Sequence, residues 1–466
     1  MTRSAVVIGA GLAGMLAAAA LSPMVGEVTV LERDPLPSGP EPRKGLPQSR
    51  HAHLLLPGGR DAIESLVPGV SVRQKLLDSG AREVSITSGM LTLGSEGWFR
   101  RWRHDSDHVI TCSRDLLDWT VREAVLSNTH VKLRSAKALA LLGTTQRVTG
   151  LRVSELNGPE EDLTADLVVD ASGRGSRTVR WLAQLGITDI PEAVVDSGLV
   201  YASRLYRIPD GAEKFPLTAV QANPFAAGPG RSATLVPIEG GRWIVSLSGT
   251  RGGEPNADSE DFIRFALGLR HPIVGELISS AKPLSDVVLS RSTRNGRRYF
   301  EKARNWPDGL VALGDAIATY NPVYGQGMSV AALGAQALSR ELRQSSITRP
   351  GLACRIQRAA ARPVDAAWAL STSQDQWFPE VRGKKPTVAD RLITSYTRRM
   401  TRVSTSSYRV TAAMARVTTL QESATRLIHP SLLIATLSGP PLPALAGPPL
   451  TEGERRILHA LDPSPV

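Results

Sequence analysis

The first residues with a chemistry of their own are glycines. Gly9-Ala10-Gly11-Leu12-Ala13-Gly14 follows the apolar run Ala5-Val6-Val7-Ile8 and opens an alanine-rich stretch that ends at Leu21. At this spacing Gly9 permits a tight turn, Gly11 lets a pyrophosphate approach the backbone, and Gly14 allows helix and strand to pack closely. The helix that starts here directs free N–H groups and its positive dipole end at the phosphates. A glycine triplet alone carries little weight. Here a strand precedes it, a helix follows it, and Glu32 closes the next β-branched run, Val28-Thr29-Val30-Leu31. An acid about twenty positions on is placed to accept hydrogen bonds from an adenosine ribose. The reading is a dinucleotide site.

Other reactive side chains are sparse. The 466 residues contain two cysteines, Cys112 and Cys354, which excludes a disulfide framework and a cysteine zinc cluster. His104 and His108 flank Asp105 and Asp107, but a charged loop accounts for them, and neither a metal site nor a paired acid and base emerges. The net charge is +11. Residues 340–429 carry 16 Lys and Arg against 6 Asp and Glu, so nearly all the excess lies in one segment. Arg391, Arg398, Arg402, Arg409 and Arg416 recur there at helical spacing, with only Tyr396 and Tyr408 as neighbouring aromatics. A nucleic-acid groove would interleave more rings among the bases. With 46 of the 55 basic residues arginine, a solvated helical face is expected, and no nucleic acid.

The elements that must hold these residues follow from periodicity. The opening strand, helix and strand form a βαβ unit. Asp166-Leu167-Val168-Val169-Asp170 and Leu310-Val311-Ala312-Leu313 are further buried parallel strands. Between them, Leu199 to Ile208, Ala233 to Ile238 and Trp243 to Ser248 predict an antiparallel sheet, with Glu239-Gly240-Gly241 as a hairpin turn. Leu199, Tyr201, Leu235 and Val245 are either a substrate lining or plain sheet core. The division expected is a discontinuous dinucleotide-binding domain over 1–193 and 286–345, a substrate domain over 194–285 to which part of 43–110 contributes, and a helical region over 346–466 with an irregular Pro-rich tail. The apolar start is broken by glycines, which suits a phosphate loop better than a signal peptide. No apolar stretch is long enough to span a bilayer. A cytoplasmic protein is expected, with peripheral membrane contact left open.

The segment Asp308-Gly309-Leu310-Val311-Ala312-Leu313-Gly314-Asp315-Ala316, followed by Asn321-Pro322-Val323-Tyr324-Gly325-Gln326-Gly327-Met328, resembles the second FAD fingerprint of flavoprotein monooxygenases with the glutathione-reductase-type fold. The resemblance implies an α/β fold with a Rossmann-like FAD-binding domain and an inserted antiparallel sheet. It implies that Asp315 binds a ribityl hydroxyl, and that the following helix aims its N-terminus at the flavin pyrimidine ring, where reduced flavin carries negative charge. Arg114, in Ser113-Arg114-Asp115-Leu116-Leu117-Asp118, resembles the family arginine that reaches back to the cofactor. The cofactor set is then Gly9, Gly11, Leu12, Ala13, Gly14, Glu32, Arg33, Arg43, Arg114, Gly314, Asp315, Gly325, Gly327 and Met328, with no metal.

The loop from Arg43 to Gly59 resembles that of bacterial epoxidases in polyether biosynthesis, relatives of squalene epoxidase. On that resemblance Arg43, Gln48 and His51 face the flavin; ordinary loop solvation is the alternative. One departure stands out. Ser172-Gly173 occupies the place of an Asp-Gly pair that helps aromatic hydroxylases hold FAD and NADPH. The resemblance therefore implies an FAD-dependent monooxygenase that uses O2 and epoxidises an alkene of an apolar polyketide- or terpene-derived substrate through a flavin C4a-hydroperoxide. Electrons come from NAD(P)H or a separate flavin reductase. The chemistry belongs to the flavin, so no side chain is assigned as catalytic. An aromatic hydroxylase and a prenyl reductase are the alternatives. A halogenase is disfavoured because its Trp-x-Trp-x-Ile-Pro motif is absent.

Overall fold

The computed structural model describes residues 3–104, 106–155 and 158–461, so Asp105 of the His104–His108 segment lies outside the described residues. The strand Ser4–Ile8 is central in a seven-stranded sheet, where Glu27–Glu32 and Leu167–Asp170 flank it in parallel. Val131–Gly143 and Leu310–Ala312 extend the parallel set outward, and Val148–Glu155 and Glu160–Thr164 add an antiparallel meander at one edge. Strands covered on both faces need continuous apolar runs, and Ala5 to Ile8 are all buried. The opposite edge strand is covered by Gln357, whose side-chain Oε1 accepts from Ala312 N at 3.0 Å. Helix Leu12–Leu21 is nearly all buried; its alanines let it lie close against helices Gly327–Arg343 and Arg114–Asn128.

The second seven-stranded sheet runs Val288–Ser290, Val200–Arg207, Arg242–Gly249, Arg231–Ile238, Leu217–Val220, Met90–Gly94, Gly97–Trp98. The expected antiparallel core is present, with Gly240 and Gly241 both at positive φ in the hairpin turn. It is not wholly antiparallel, because Met90–Gly94, from far upstream, joins Leu217–Val220 in parallel. Period-two alternation sorts its side chains. Ala202, Tyr206, Leu235, Trp243, Val245 and Leu247 face the core beneath helices Ser259–Leu267 and Ile273–Ser279. Tyr201, Ser203, Ser246 and Ser248 take the other face by the same alternation. Leu235 and Val245 are thus core, and the substrate-lining alternative does not hold for them.

One further expectation needs correction. Pro57-Gly58-Gly59, read as the end of a loop, begins helix Pro57–Leu66. A Cβ on Gly59 would stand 2.4 Å from Ser329 Oγ, so this glycine serves helix–helix approach. The Pro-rich stretch 440–450 forms neither helix nor strand. Helix Glu452–Leu461 follows, packs on Ile273–Ser279 and pairs Glu454 with Arg101 at 2.7 Å. Its apolar residues are few, and it is held by that ion pair and by the core it covers. Among the described residues no helix is long and apolar enough to cross a membrane.

Candidate functional site

The glycine turn is built as the spacing requires. Gly9 has φ +98°, and a Cβ there would lie 2.9 Å from the carbonyl oxygen of Ala171. A Cβ on Gly14 would meet the Gly9 carbonyl oxygen at 1.8 Å. Gly11 differs: its Cβ would meet only Arg43 Nη2, at 3.6 Å, so space lies in front of it. Gly11 caps helix Leu12–Leu21 without any side-chain hydrogen bond, leaving the first N–H groups unclaimed by side chains. Gly314 (φ +60°) packs against this turn, where its Cβ would stand 2.9 Å from that of Ala13.

Glu32 reaches back under the turn. Its Oε2 accepts from Ala10 N at 3.0 Å, and its Oε1 accepts from Arg33 N and Asp34 N. The Arg33 side chain is two-thirds exposed and turns to Asp34, so its contribution here is its backbone N–H. Arg43 is buried and lies at the mouth of the turn. Nη1 is 3.3 Å from Glu32 Oε2, Nη2 donates to the Ala10 carbonyl at 3.2 Å, and Nε stands 3.1 Å from Asp118 Oδ2. Asp118 is a residue the sequence reading passed over. Its signal was present, since it lies four positions after Arg114 and shares a helix face with it.

The second half of the site gathers around Asp315. Its carboxyl makes no hydrogen bond to the described residues. Burial pushes its pKa up, while the guanidinium groups of Arg174 and Arg114 pull it down. Arg114 is buried too, and its Nε has no hydrogen-bond partner. Arg174 was not anticipated. The next loop turns through Gly325 at φ +66° into helix Gly327–Arg343, whose N-terminus also has no side-chain cap. A Cβ on Gly327 would stand 4.0 Å from Asp315 Oδ1, which places the acid beside that helix start, and Met328 behind it is buried. Two uncapped helix N-termini, an acid and an arginine nitrogen without hydrogen bonds, and an open space at Gly11 fit a dinucleotide with a ring at its far end.

Asp170 has a different role. It is fully buried and accepts from Ser172 N (2.9 Å), Ser172 Oγ (2.5 Å), Ser176 Oγ (2.5 Å) and Thr178 Oγ1 (2.6 Å). Ser172, in the place of the family's acid, thus belongs to a turn that Asp170 holds.

Of the loop residues, Gln48 is exposed in the 3-10 turn Pro47–Arg50. His51 is buried, with Nδ1 2.8 Å from Ser203 Oγ, and Ser203 Oγ is 2.6 Å from Ser246 Oγ. Its ring lies 5.8 Å from that of Tyr201. Burial lowers the pKa of His51 to about 4. His53 donates from Nδ1 to the His51 carbonyl at 2.7 Å, and burial beside Arg114 lowers its pKa to about 3. Both rings are neutral near pH 7. Across the floor Ser232 and Ser248 pair at 2.6 Å, and Tyr201 stands opposite Ser248 in the ladder. This serine-rich floor was readable as a period-two row once the strands were placed.

Another buried acid was not legible. Asp375, at the end of helix Leu352–Asp375, accepts from Asn295 Nδ2 (2.7 Å), Asn321 Nδ2 (2.9 Å) and Tyr324 OH (2.7 Å). It therefore ties the loop before Gly325 to the C-terminal helices. Its own pKa is raised by burial against those hydrogen bonds. His104 stacks on Tyr408 at 4.5 Å and Asp107 pairs with Arg416 at 3.5 Å, so that segment is spent on packing. Among the described residues no His, Cys, Asp and Glu group is arranged to hold a metal.

The parallel sheet with its glycine turn, the second sheet and the C-terminal helices make a flavoprotein-monooxygenase type of fold. It superposes on a triple mutant of the flavin-dependent brominase Bmp2 with a TM-score of 0.65, over 94% of this chain and 98% of that chain, at 14% identity. No family model matches the chain. In sequence it is 33% identical over 387 residues to protein Rv3254 of Mycobacterium tuberculosis, covering 80% of each chain, and it belongs to that protein's family. It is also 28% identical over 340 residues to the kynurenine 3-monooxygenase of Salinispora arenicola, covering 70% of this chain and 69% of that one.

Proposed function

We propose that this protein is an FAD-dependent monooxygenase that adds one atom of dioxygen to an alkene of an apolar, polyketide- or terpene-derived substrate. NAD(P)H or a separate flavin reductase supplies the electrons in this reading. The observation that carries it is the pair of uncapped helix N-termini with Glu32 at one end and Asp315 at the other. The N–H groups of Leu12 and Ala13 would take the pyrophosphate, and Glu32 the adenosine ribose, which FMN lacks. Arg43 would meet the phosphates from the open side, and Asp315 and Arg114 the ribityl chain. The N-terminus of helix Gly327–Arg343 would stabilise negative charge on the ring. When bound, FAD supplies the oxygen activation, and the protein supplies position, dryness and shape.

Neutral His51 and the Ser203–Ser246 pair can orient a polar group of the substrate, and the buried sheet floor keeps bulk water out. Oxygen transfer to an alkene asks for no side-chain base. Ser172, tied to Asp170, offers no carboxylate in the place of the hydroxylase acid. A second reading, hydroxylation of an aromatic ring, is favoured by the polar floor of Tyr201, Ser203, Ser246 and Ser248 and by the likeness to a kynurenine 3-monooxygenase. Turnover under isotopically labelled dioxygen, with alkene and phenol panels and with or without added flavin reductase, separates the readings. An epoxide with one heavy oxygen supports the first, and a labelled phenol the second. An unlabelled product that has gained two hydrogens overturns both in favour of a reductase.

A further inference from the structure

Six large aliphatic side chains stand 60–74% exposed, namely Val388, Leu392, Ile393, Ile428, Ile434 and Leu437, and no other among the described residues exceeds 44%. All six fall within residues 388–437. Helices Val388–Ser404 and Pro430–Ser438 pack together through Met400, Val403 and Leu432, which leaves Ile434 and Leu437 on the outward face of the second helix, while Leu392 and Ile393 stand exposed in the first turns of the first, ahead of its packed part. Along helix Val388–Ser404 runs a cleft of about 610 Å3 lined by its Arg391, Arg398, Arg399 and Arg402, by the rings of Phe225 and Trp377, and by Gly439 and Pro440 just after the second helix. The exposed aliphatic residues are sequence neighbours of its rim: Leu392 and Ile393 follow Arg391, and Leu437 precedes Gly439.

The arginines are unequally committed. Arg398 and Arg402 share the single carboxylate of Glu96, and Arg399 donates to the Thr436 and Leu437 carbonyls. Arg391 makes no side-chain ion pair or hydrogen bond with the described residues, and Lys384 and Lys385 are exposed just before the same helix. Aliphatic side chains that protrude, rimmed by positive charge that Asp390 offsets only in part, are the composition of a helix lying in a lipid interface. A protein-partner site would centre its apolar groups in a packed patch with aromatic anchors, whereas Phe225 and Trp377 lie in the cleft with the arginines and none of the six exposed residues is aromatic. We propose that the face formed by helices Val388–Ser404 and Pro430–Ser438 docks this protein on membranes rich in anionic phospholipid. Leu392, Ile393, Ile434 and Leu437 enter the headgroup–acyl boundary, while Arg391, Lys384 and Lys385 meet lipid phosphates. The surface is independent of the reaction proposed above, and its test uses no turnover.

The test is co-sedimentation of the full-length protein with vesicles of phosphatidylcholine alone, or of phosphatidylcholine and phosphatidylglycerol in equal parts. The protein should partition onto the mixed vesicles, far less onto the neutral ones, and be released as salt is raised. Leu392→Glu with Ile434→Glu should lower the partition coefficient by about tenfold or more, and Arg391→Gln by roughly fivefold. Thermal melting should be unchanged, because these side chains are exposed. Failure to sediment with mixed vesicles overturns the proposal, as does sedimentation that the double variant leaves intact. A concentration-dependent dimer lost in the double variant, without vesicle binding, would assign the face to a second copy and also overturn it.

Discussion

Arg43 Nη1 stands 3.3 Å from Glu32 Oε2 while Nη2 of the same guanidinium donates to the Ala10 carbonyl, so one side chain joins the acid at the end of the second strand to the glycine turn after the first. The pair is buried, with side chains 4% and 14% exposed, and Asp118 stands on the guanidinium's other side. Removing the cation would leave Glu32 with its backbone N–H donors alone and Asp118 with only the Arg122 ion pair, 4.0 Å away.

Arg43→Ala is therefore expected to destabilise the fold by roughly 3–5 kcal/mol, the cost of breaking a buried ion pair from one side. Arg43→Lys keeps the charge but cannot serve Glu32, Asp118 and Ala10 together, and should fall between. Denaturant unfolding of the two variants measures the difference. Equal stability of Arg43→Ala and wild type would show that the pair contributes nothing.

The glycines should divide into two kinds. Gly11→Val meets only a flexible arginine and should give a folded protein that holds no FAD. Gly14→Val drives a side chain into the Gly9 carbonyl and should fail to fold. Thermal melting and flavin absorbance of the purified variants check both.

Asp315 and Asp170 should separate in the same way. Asp315 makes no hydrogen bond within the described residues, so Asp315→Ala should leave stability nearly intact. Its FAD affinity should fall by about one to two decades, the worth of a charge-assisted hydrogen bond. Asp170→Ala leaves a backbone N–H and three hydroxyls without their acceptor, and should cost roughly 2–4 kcal/mol of stability. Matching effects in the two variants, by FAD titration and denaturant unfolding, would contradict this division.

What the sequence disclosed and what it withheld differ in range. The glycine turn, Glu32 and the Gly314-Asp315 turn are local devices, and their residue types state their conformations. The partners of those residues are distant. Nothing near Asn321 points to Asp375, 54 residues on, and Gly59 looks like loop punctuation until Ser329 is packed against it. Tyr201 and Leu235 are both β-sheet residues, and only the register decides which faces the site and which the core.

Stability should fall with acid in a defined window. Burial holds the folded-state pKa of His51 at about 4, below the unfolded value of 6.5. Between those limits the unfolded chain binds the extra proton, so stability rises with pH from about 4 to 6.5 and is flat above. The loss on acidification is on the order of 3 kcal/mol from this ring. His51→Asn should reduce the slope and leave the part carried by His53, whose ring pKa is held at about 3, as measured by denaturant unfolding at stepped pH. An unchanged slope would place the titration elsewhere.

On the proposed function this chain carries FAD in the cradle between Gly11 and Gly327, and the decisive measurement is chromatography of the chromophore released by heating the purified protein. The expected result is a yellow protein that yields FAD, and whose Gly11→Val variant is folded and colourless. FMN as the sole released flavin, or a colourless wild-type protein that ignores added FAD, would contradict it.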